Sequence, residues 1–157
     1  MASARKVKLD CEASFAKAAK KAVKVRSKEV FAHSGGVLDL GQVERVHDMR
    51  VATRRLRAAL EIFEPCFPRK RHRKALKRVK GLADALGERR DTDVEIELLK
   101  GLASEAAAAD RPALRKLIEE QSARQLAANE ELAPHVAPKR LRKLQRRLKK
   151  LTKSASS

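Results

Sequence analysis

His47, Arg50, Arg54 and Arg57 stand at i, i+3, i+7 and i+10, the spacing that puts side chains on one face of an α-helix. The run from Val46 to Leu60 that carries them has no Gly or Pro, and its Leu, Ala, Arg and Met are good helix formers. At about 1.5 Å rise per residue the four make a cationic ladder ~15 Å long, within roughly 80° of arc. No carboxylate lies between them on that stripe, so they repel one another. A face serving only solubility would alternate its signs. The chemistry this suits is capture of an anion that is not part of the helix. Guanidinium forks grip phosphate oxygens in pairs, and His47 offers a donor whose charge depends on pH. Arg73, Lys77 and Lys80 form a second ladder at i, i+4 and i+7, and lysines add point charge. The bland alternative is a solvated basic face.

Catalysis finds little support. The four histidines, His33, His47, His72 and His135, make no HExxH-like pair, so no metal site is expected. His47-Asp48 resembles the HD pair of metal phosphohydrolases, but no supporting ligands accompany it. Carboxylates in 45–80 are limited to Asp48, Glu61 and Glu64, too few for a Mg²⁺-assisted phosphoryl transfer. No GxSxG, P-loop or dinucleotide fingerprint occurs, and no cofactor is expected. Arg90-Asp91, beside Gly87, reads as an ion pair at a helix boundary. Cys11 and Cys66 lie far apart and outside metal-ligand spacing, so they are expected as partly buried thiols without a disulfide.

The net charge of +18, from 38 Lys+Arg against 20 Asp+Glu over 157 residues, predicts a polyanionic partner: nucleic acid, an anionic membrane surface or a phosphate polymer. The charge is unevenly spread. Residues 45–80 carry 13 basic against 3 acidic side chains, 81–137 carry 7 against 12, and 138–157 carry 9 against none. There is no Trp or Tyr, which disfavours the base stacking that single-strand binders use. Duplex phosphates can still be gripped without it, so a basic DNA- or RNA-associated protein is the alternative reading. A polymer of phosphates without bases fits better. No apolar run nears the ~20 residues of a membrane span, and the first residues lack a signal-peptide core. A cytoplasmic protein with no membrane partner is expected, found with polyphosphate granules where these occur.

The elements that must position these residues are all helical, with no strand-like alternation. The patterns predict an all-α bundle of about six helices with short loops. The first spans about 9–32, with Phe15, Ala19, Ala22, Val23 and Val30 on one face and Arg26 among them. Ser34-Gly-Gly36 opens a loop to about Leu40. The second runs over about 42–64, with a stripe of Val46, Met49, Thr53, Leu56, Leu60 and Phe63. After the turn Pro65–Pro68 the third runs from about Arg69 to Leu86, burying Ala75, Leu76, Val79, Leu82, Ala83 and Leu86. Gly87 ends it as a C′ residue, and Asp91 or Thr92 caps a fourth helix reaching Ala109. Its apolar residues are Val94, Ile96, Leu98, Leu99 and Leu102. A fifth runs from Pro112 to about Leu132, with Leu114, Leu117, Ile118, Gln121, Gln125 and Leu126 inward. Pro134 and Pro138 bracket a turn, and a sixth at about 139–152 carries Leu141, Leu144, Leu148 and Leu151. Residues 1–8 and the end of the chain from Thr152 are read as tails, and 1–157 as one domain.

Taken together, the block Val46–Leu60, the pair Lys77 and Lys80, and the block Leu86–Val94 resemble the CHAD domain (conserved histidine α-helical domain) in residues, order and spacing, over about 10–152. The resemblance implies an α-helical fold that binds inorganic polyphosphate in a basic groove, without catalysis. By motif position it assigns phosphate contacts to His47, Arg50, Arg54, Arg55, Arg57, Lys77 and Lys80. Hydrolysis in some relatives belongs to a separate triphosphate-tunnel domain, which has no counterpart in this sequence. Such domains usually pair two related bundles across a pseudo-twofold axis, whereas one His-x-x-Arg block is present here. The chain therefore resembles the N-terminal half, and a homodimer rebuilding a two-walled groove is the expectation.

Overall fold

The computed structural model describes residues 3–10 and 12–156, and five α-helices carry most of that length. These are α1 (Phe15–Ala32), α2 (Val43–Ile62), α3 (Arg69–Glu105), α4 (Arg111–Val136) and α5 (Pro138–Lys153). A single 3₁₀ turn, Glu64–Cys66, joins α2 to α3. No strand occurs among the described residues. Cys11 lies outside them; Cys66 is a free, buried thiol, which burial pushes above its ordinary pKa.

The predicted apolar stripes build the core. On α2 the residues Val46, Met49, Thr53, Leu56 and Leu60 are buried, and Thr53 satisfies its hydroxyl by donating to the Met49 carbonyl at 2.8 Å. They pack on Ala19, Val23 and Val30 of α1, Ala75, Val79, Leu82 and Leu86 of α3, and Leu144, Leu148 and Leu151 of α5. Helix α1 packs on α2, α2 on α3, α3 on α5, and α5 back on α1. The first half of α3 thus completes a four-helix ring, and its second half runs on to pair with α4 as an arm.

Several expectations change. The third and fourth helices are one: α3 continues through Gly87 to Glu105. Gly in a helix costs only ~1 kcal/mol relative to Ala, and the buried series Leu86, Arg89, Asp93 and Ile96 keeps the same face inward across it. Nothing is capped there. Thr92 instead donates within the helix to the Arg89 carbonyl at 2.8 Å. Helix α4 likewise runs through Pro134 to Val136, because Leu132 and Val136 are both buried and the missing N–H falls in the last turn. The turn shrinks to Ala137. Helix α1 begins at Phe15, where the Ser14 hydroxyl accepts from the Lys17 N–H at 3.3 Å.

Described residues near both ends make contacts with the rest of the chain. The Arg5 N–H donates to Glu29 at 2.6 Å, and Arg26 pairs with Glu29 while also donating to the Arg5 carbonyl. That ties Arg26 to the segment before α1. Leu151 and Thr152 are buried, and the Ser156 N–H donates to the Cys66 carbonyl at 3.0 Å. Finally, Leu117 and Leu126, expected inside, stand exposed on the arm, as do Val94, Leu98 and Leu102. The arm is only two helices thick, too thin to cover them.

Candidate functional site

The α2–α3 connection sets how the two ladders meet. Phe67 is buried and stacks on His72 with ring centroids 6.0 Å apart. The His72 Nε2–H donates to the Leu60 carbonyl at 2.7 Å, satisfying a C-terminal carbonyl of α2. His72 is thereby a structural clamp on the hairpin that carries both ladders.

At the ladders themselves, the Arg57 Nε donates to Glu61 Oε1 at 3.0 Å, and the Lys80 Nζ from α3 lies 3.4 Å from the same oxygen. Arg57 and Lys80, from two helices, therefore meet at the single carboxylate Glu61. Steps of ~100° per residue put Arg50 and Arg54 on this same flank of α2. They likewise put Arg73 and Lys77 within ~60° of Lys80 on α3. Hydrogen bonding from Arg57, aided by Lys80, holds the Glu61 carboxyl below the usual carboxylate range. These three side chains are 39% to 43% exposed, so water screens the pairs and each is worth under about 1 kcal/mol. An incoming polyanion can compete for both cations.

His47 and Arg50 are half-buried, while Arg54, Arg73 and Lys77 are exposed. None of these five makes an ion pair among the described residues. The α2–α3 hairpin therefore carries several uncommitted donors along two helices. Arg55 is placed differently. It lies ~100° round the helix from Arg54 and ~160° from Arg57, half-buried and engaged in a contact of its own. On those steps it lies on a different flank of α2 from the other ladder residues.

The block Leu86–Val94 braces the arm. Arg89, 0% exposed, pairs with Asp93 inside α3 and donates from Nε to Asn129 Oδ1 of α4 at 3.2 Å. Gln125 donates to Asp93 at 2.6 Å, and Asn129 donates to the Leu38 carbonyl at 3.1 Å. The ion pair is thus Arg89–Asp93 rather than Arg90–Asp91, and it holds α3, α4 and the loop after α1 together. No group of three or more His, Cys, Asp or Glu side chains among the described residues is arranged to hold a metal ion. No helix is long and apolar enough to cross a membrane.

Two features escaped the sequence reading. Glu61 was legible as an i+4 partner of Arg57, but its second contact, across to Lys80, needs the hairpin. Helix α5 also presents cations toward α1 and toward α3, where sequence gives only a basic cluster.

No curated protein and no solved structure matches this sequence. The family model described as the CHAD domain matches residues 21–157, which takes in all of α2 through α5 and both ladders. CHAD domains are associated in general with binding of polyphosphate. On a match over nearly its whole length, this chain belongs to the CHAD-domain family.

Proposed function

We propose that the chain binds inorganic polyphosphate, without catalysis, along the α2–α3 groove. The observation that carries this reading is the pairing of Arg57 and Lys80, from two helices, around the single carboxylate Glu61. The other ladder cations Arg50, Arg54, Arg73 and Lys77 stand without ion partners among the described residues. Arginines clamp phosphate oxygens in pairs, lysines add attraction over distance, and His47 donates at the ladder's end. Arg55 contributes in the family-based assignment, from the other flank of α2.

The lack of stacking platforms supports polyphosphate over nucleic acid. Of the four Phe, Phe67 is buried and stacks on His72, Phe31 and Phe63 pack on the core, and Phe15, though exposed, packs against Phe63 with centroids 4.9 Å apart and lies outside both ladders. The test is calorimetric titration of long-chain polyphosphate at near-physiological salt, with duplex DNA and RNA as competitors. Tight binding that nucleic acid cannot displace, and that Arg50→Ala/Arg54→Ala removes, is the expected result. Equal or tighter nucleic-acid binding, indifferent to that double variant, would sink the reading. The same reading places the protein in the cytoplasm with polyphosphate granules.

A homodimer belongs to this proposal, with two copies supplying two basic walls. Val94, Leu98 and Leu102 recur every four residues on α3, away from α4, and are exposed, an apolar stripe that a second copy would cover. Light scattering at low concentration is expected to give a dimer mass that Leu98→Arg converts to a monomer. A wild-type monomer that binds polyphosphate tightly would remove the dimer from the proposal.

A further inference from the structure

A second groove, between α3 and α5, is more basic than the one the ladders line. Arg71 and Lys74 of α3 face Lys143, Arg146, Arg147 and Lys150 of α5 across a cleft of about 400 Å³. No carboxylate and no aromatic ring lines it. None of the six cations makes an ion pair among the described residues. Helix α5 has no acidic residue at all, so no internal partner is in reach along it. On α1 of the same ring, by contrast, Arg26 is neutralised by Glu29. Opposed like charges on two packed helices weaken the fold unless a counter-charge arrives from outside.

From this we infer that the α3–α5 groove is a second binding site for inorganic polyphosphate, separate from the α2–α3 ladder and joined to it over the surface of α3. The chemistry chooses the occupant. Three arginine forks and three ammonium groups suit densely spaced phosphate oxygens. A single nucleic-acid strand would look for aromatic platforms, and the cleft has none. A membrane would need apolar side chains to insert, but Leu144, Leu148 and Leu151 of α5 are spent on the core.

Helix α3 serves both grooves. Arg73 and Lys77 lean to the α2 side and Arg71 and Lys74 to the α5 side, with Lys70 between them on the outer surface at ~100° steps. A short chain occupies either groove, whereas a long one crosses α3 and holds both. Two linked contacts raise avidity well above either alone.

The inference rests on the polyphosphate reading of the family fold, and calorimetry can separate the two. Short- and long-chain sodium polyphosphate are titrated into wild type, Arg50→Gln/Arg54→Gln, Arg146→Gln/Arg147→Gln/Lys150→Gln, and the charge-matched control Lys8→Gln/Lys17→Gln/Lys21→Gln, with circular dichroism confirming helix content. Short chains are expected to fill two sites on wild type and control, and one on each groove variant. Long chains are expected to bind the α5 variant at least ~10-fold more weakly than wild type. Wild-type stoichiometry and affinity in the α5 variant would overturn the second groove while leaving the ladder reading intact. Loss of a site in the α5 variant, with none lost in the ladder variant, would keep the second groove and reject the ladder. Equal weakening by the control, or displacement of the groove-bound chain by duplex DNA, would overturn polyphosphate as a specific occupant.

Discussion

Glu61 is an internal rival of the ligand. It occupies Arg57 and Lys80 together, so a bound phosphate chain must take both from it. Glu61→Gln is expected to tighten polyphosphate binding a few-fold at low salt, by about the worth of a screened surface pair. Its folded-state carboxyl is held below the usual range, chiefly by the Arg57 hydrogen bond. The pair is therefore complete above the ordinary carboxylate range and is lost as pH falls through the lowered value. The advantage of the Gln variant should fade as pH falls through that lowered value and wild-type Glu61 protonates, which titrations at neutral and at acid pH test. An unchanged affinity at neutral pH would mean that phosphate does not reach Arg57 and Lys80. His72 is the other decisive single residue. Its replacement by Leu leaves the buried Leu60 carbonyl without its donor and should cost roughly 1–3 kcal/mol in urea unfolding. Sequence marks His72 only as a histidine outside metal spacing. Its partner lies twelve positions back, and only the closed hairpin brings the two together.

Among the elements, α3 departs furthest from what local pattern predicts. A Gly followed by a polar, cap-rich run is a sound stop signal, yet burial of Leu86, Arg89, Asp93 and Ile96 carries the helix past it. Two of those four are charged, so a hydrophobic pattern cannot flag them. That continuity is testable. A Cβ at Gly87 would meet nothing within 4 Å, so Gly87→Ala should stabilise the fold by ~0.5–1 kcal/mol. A destabilised variant would argue for a helix end there. The brace beyond it behaves oppositely. Arg89→Met strands a buried Asp93 carboxylate and should cost about 3–5 kcal/mol, while Arg89→Met/Asp93→Leu should recover much of the loss. Chemical denaturation of the three variants completes the comparison. The stripes of α2 and α5 were legible because each helix has one strong apolar face. The arm was misread because its leucines point to both sides of a two-helix layer.

For the molecule as a whole, charge and shape divide together. The ring formed by α1, α2, the first half of α3 and α5 holds the basic stretches, whereas residues 81–137 carry 12 acidic against 7 basic side chains. Binding of long polyphosphate should therefore weaken steeply with salt, in proportion to the number of phosphates engaged. The slope of log affinity against log salt should be shallower for the α5 groove variant than for the charge-matched control. Sequence revealed this division as blocks of net charge, but not that three basic stretches share one ring.

Ring closure by α5 has a consequence for synthesis. The last helix supplies one wall of the α3–α5 groove and also packs on α1, so that groove cannot exist while α5 is still within the ribosome. A nascent chain surrounded by ribosomal RNA, itself a dense polyanion, carries the α2 and α3 ladders but lacks the opposing cations of α5. Chains emerge at roughly 5–20 residues per second, so several seconds pass between exposure of the first ladder and completion of the ring. The position of the basic helix after α4 therefore delays assembly of its groove until α1 through α4 have all emerged.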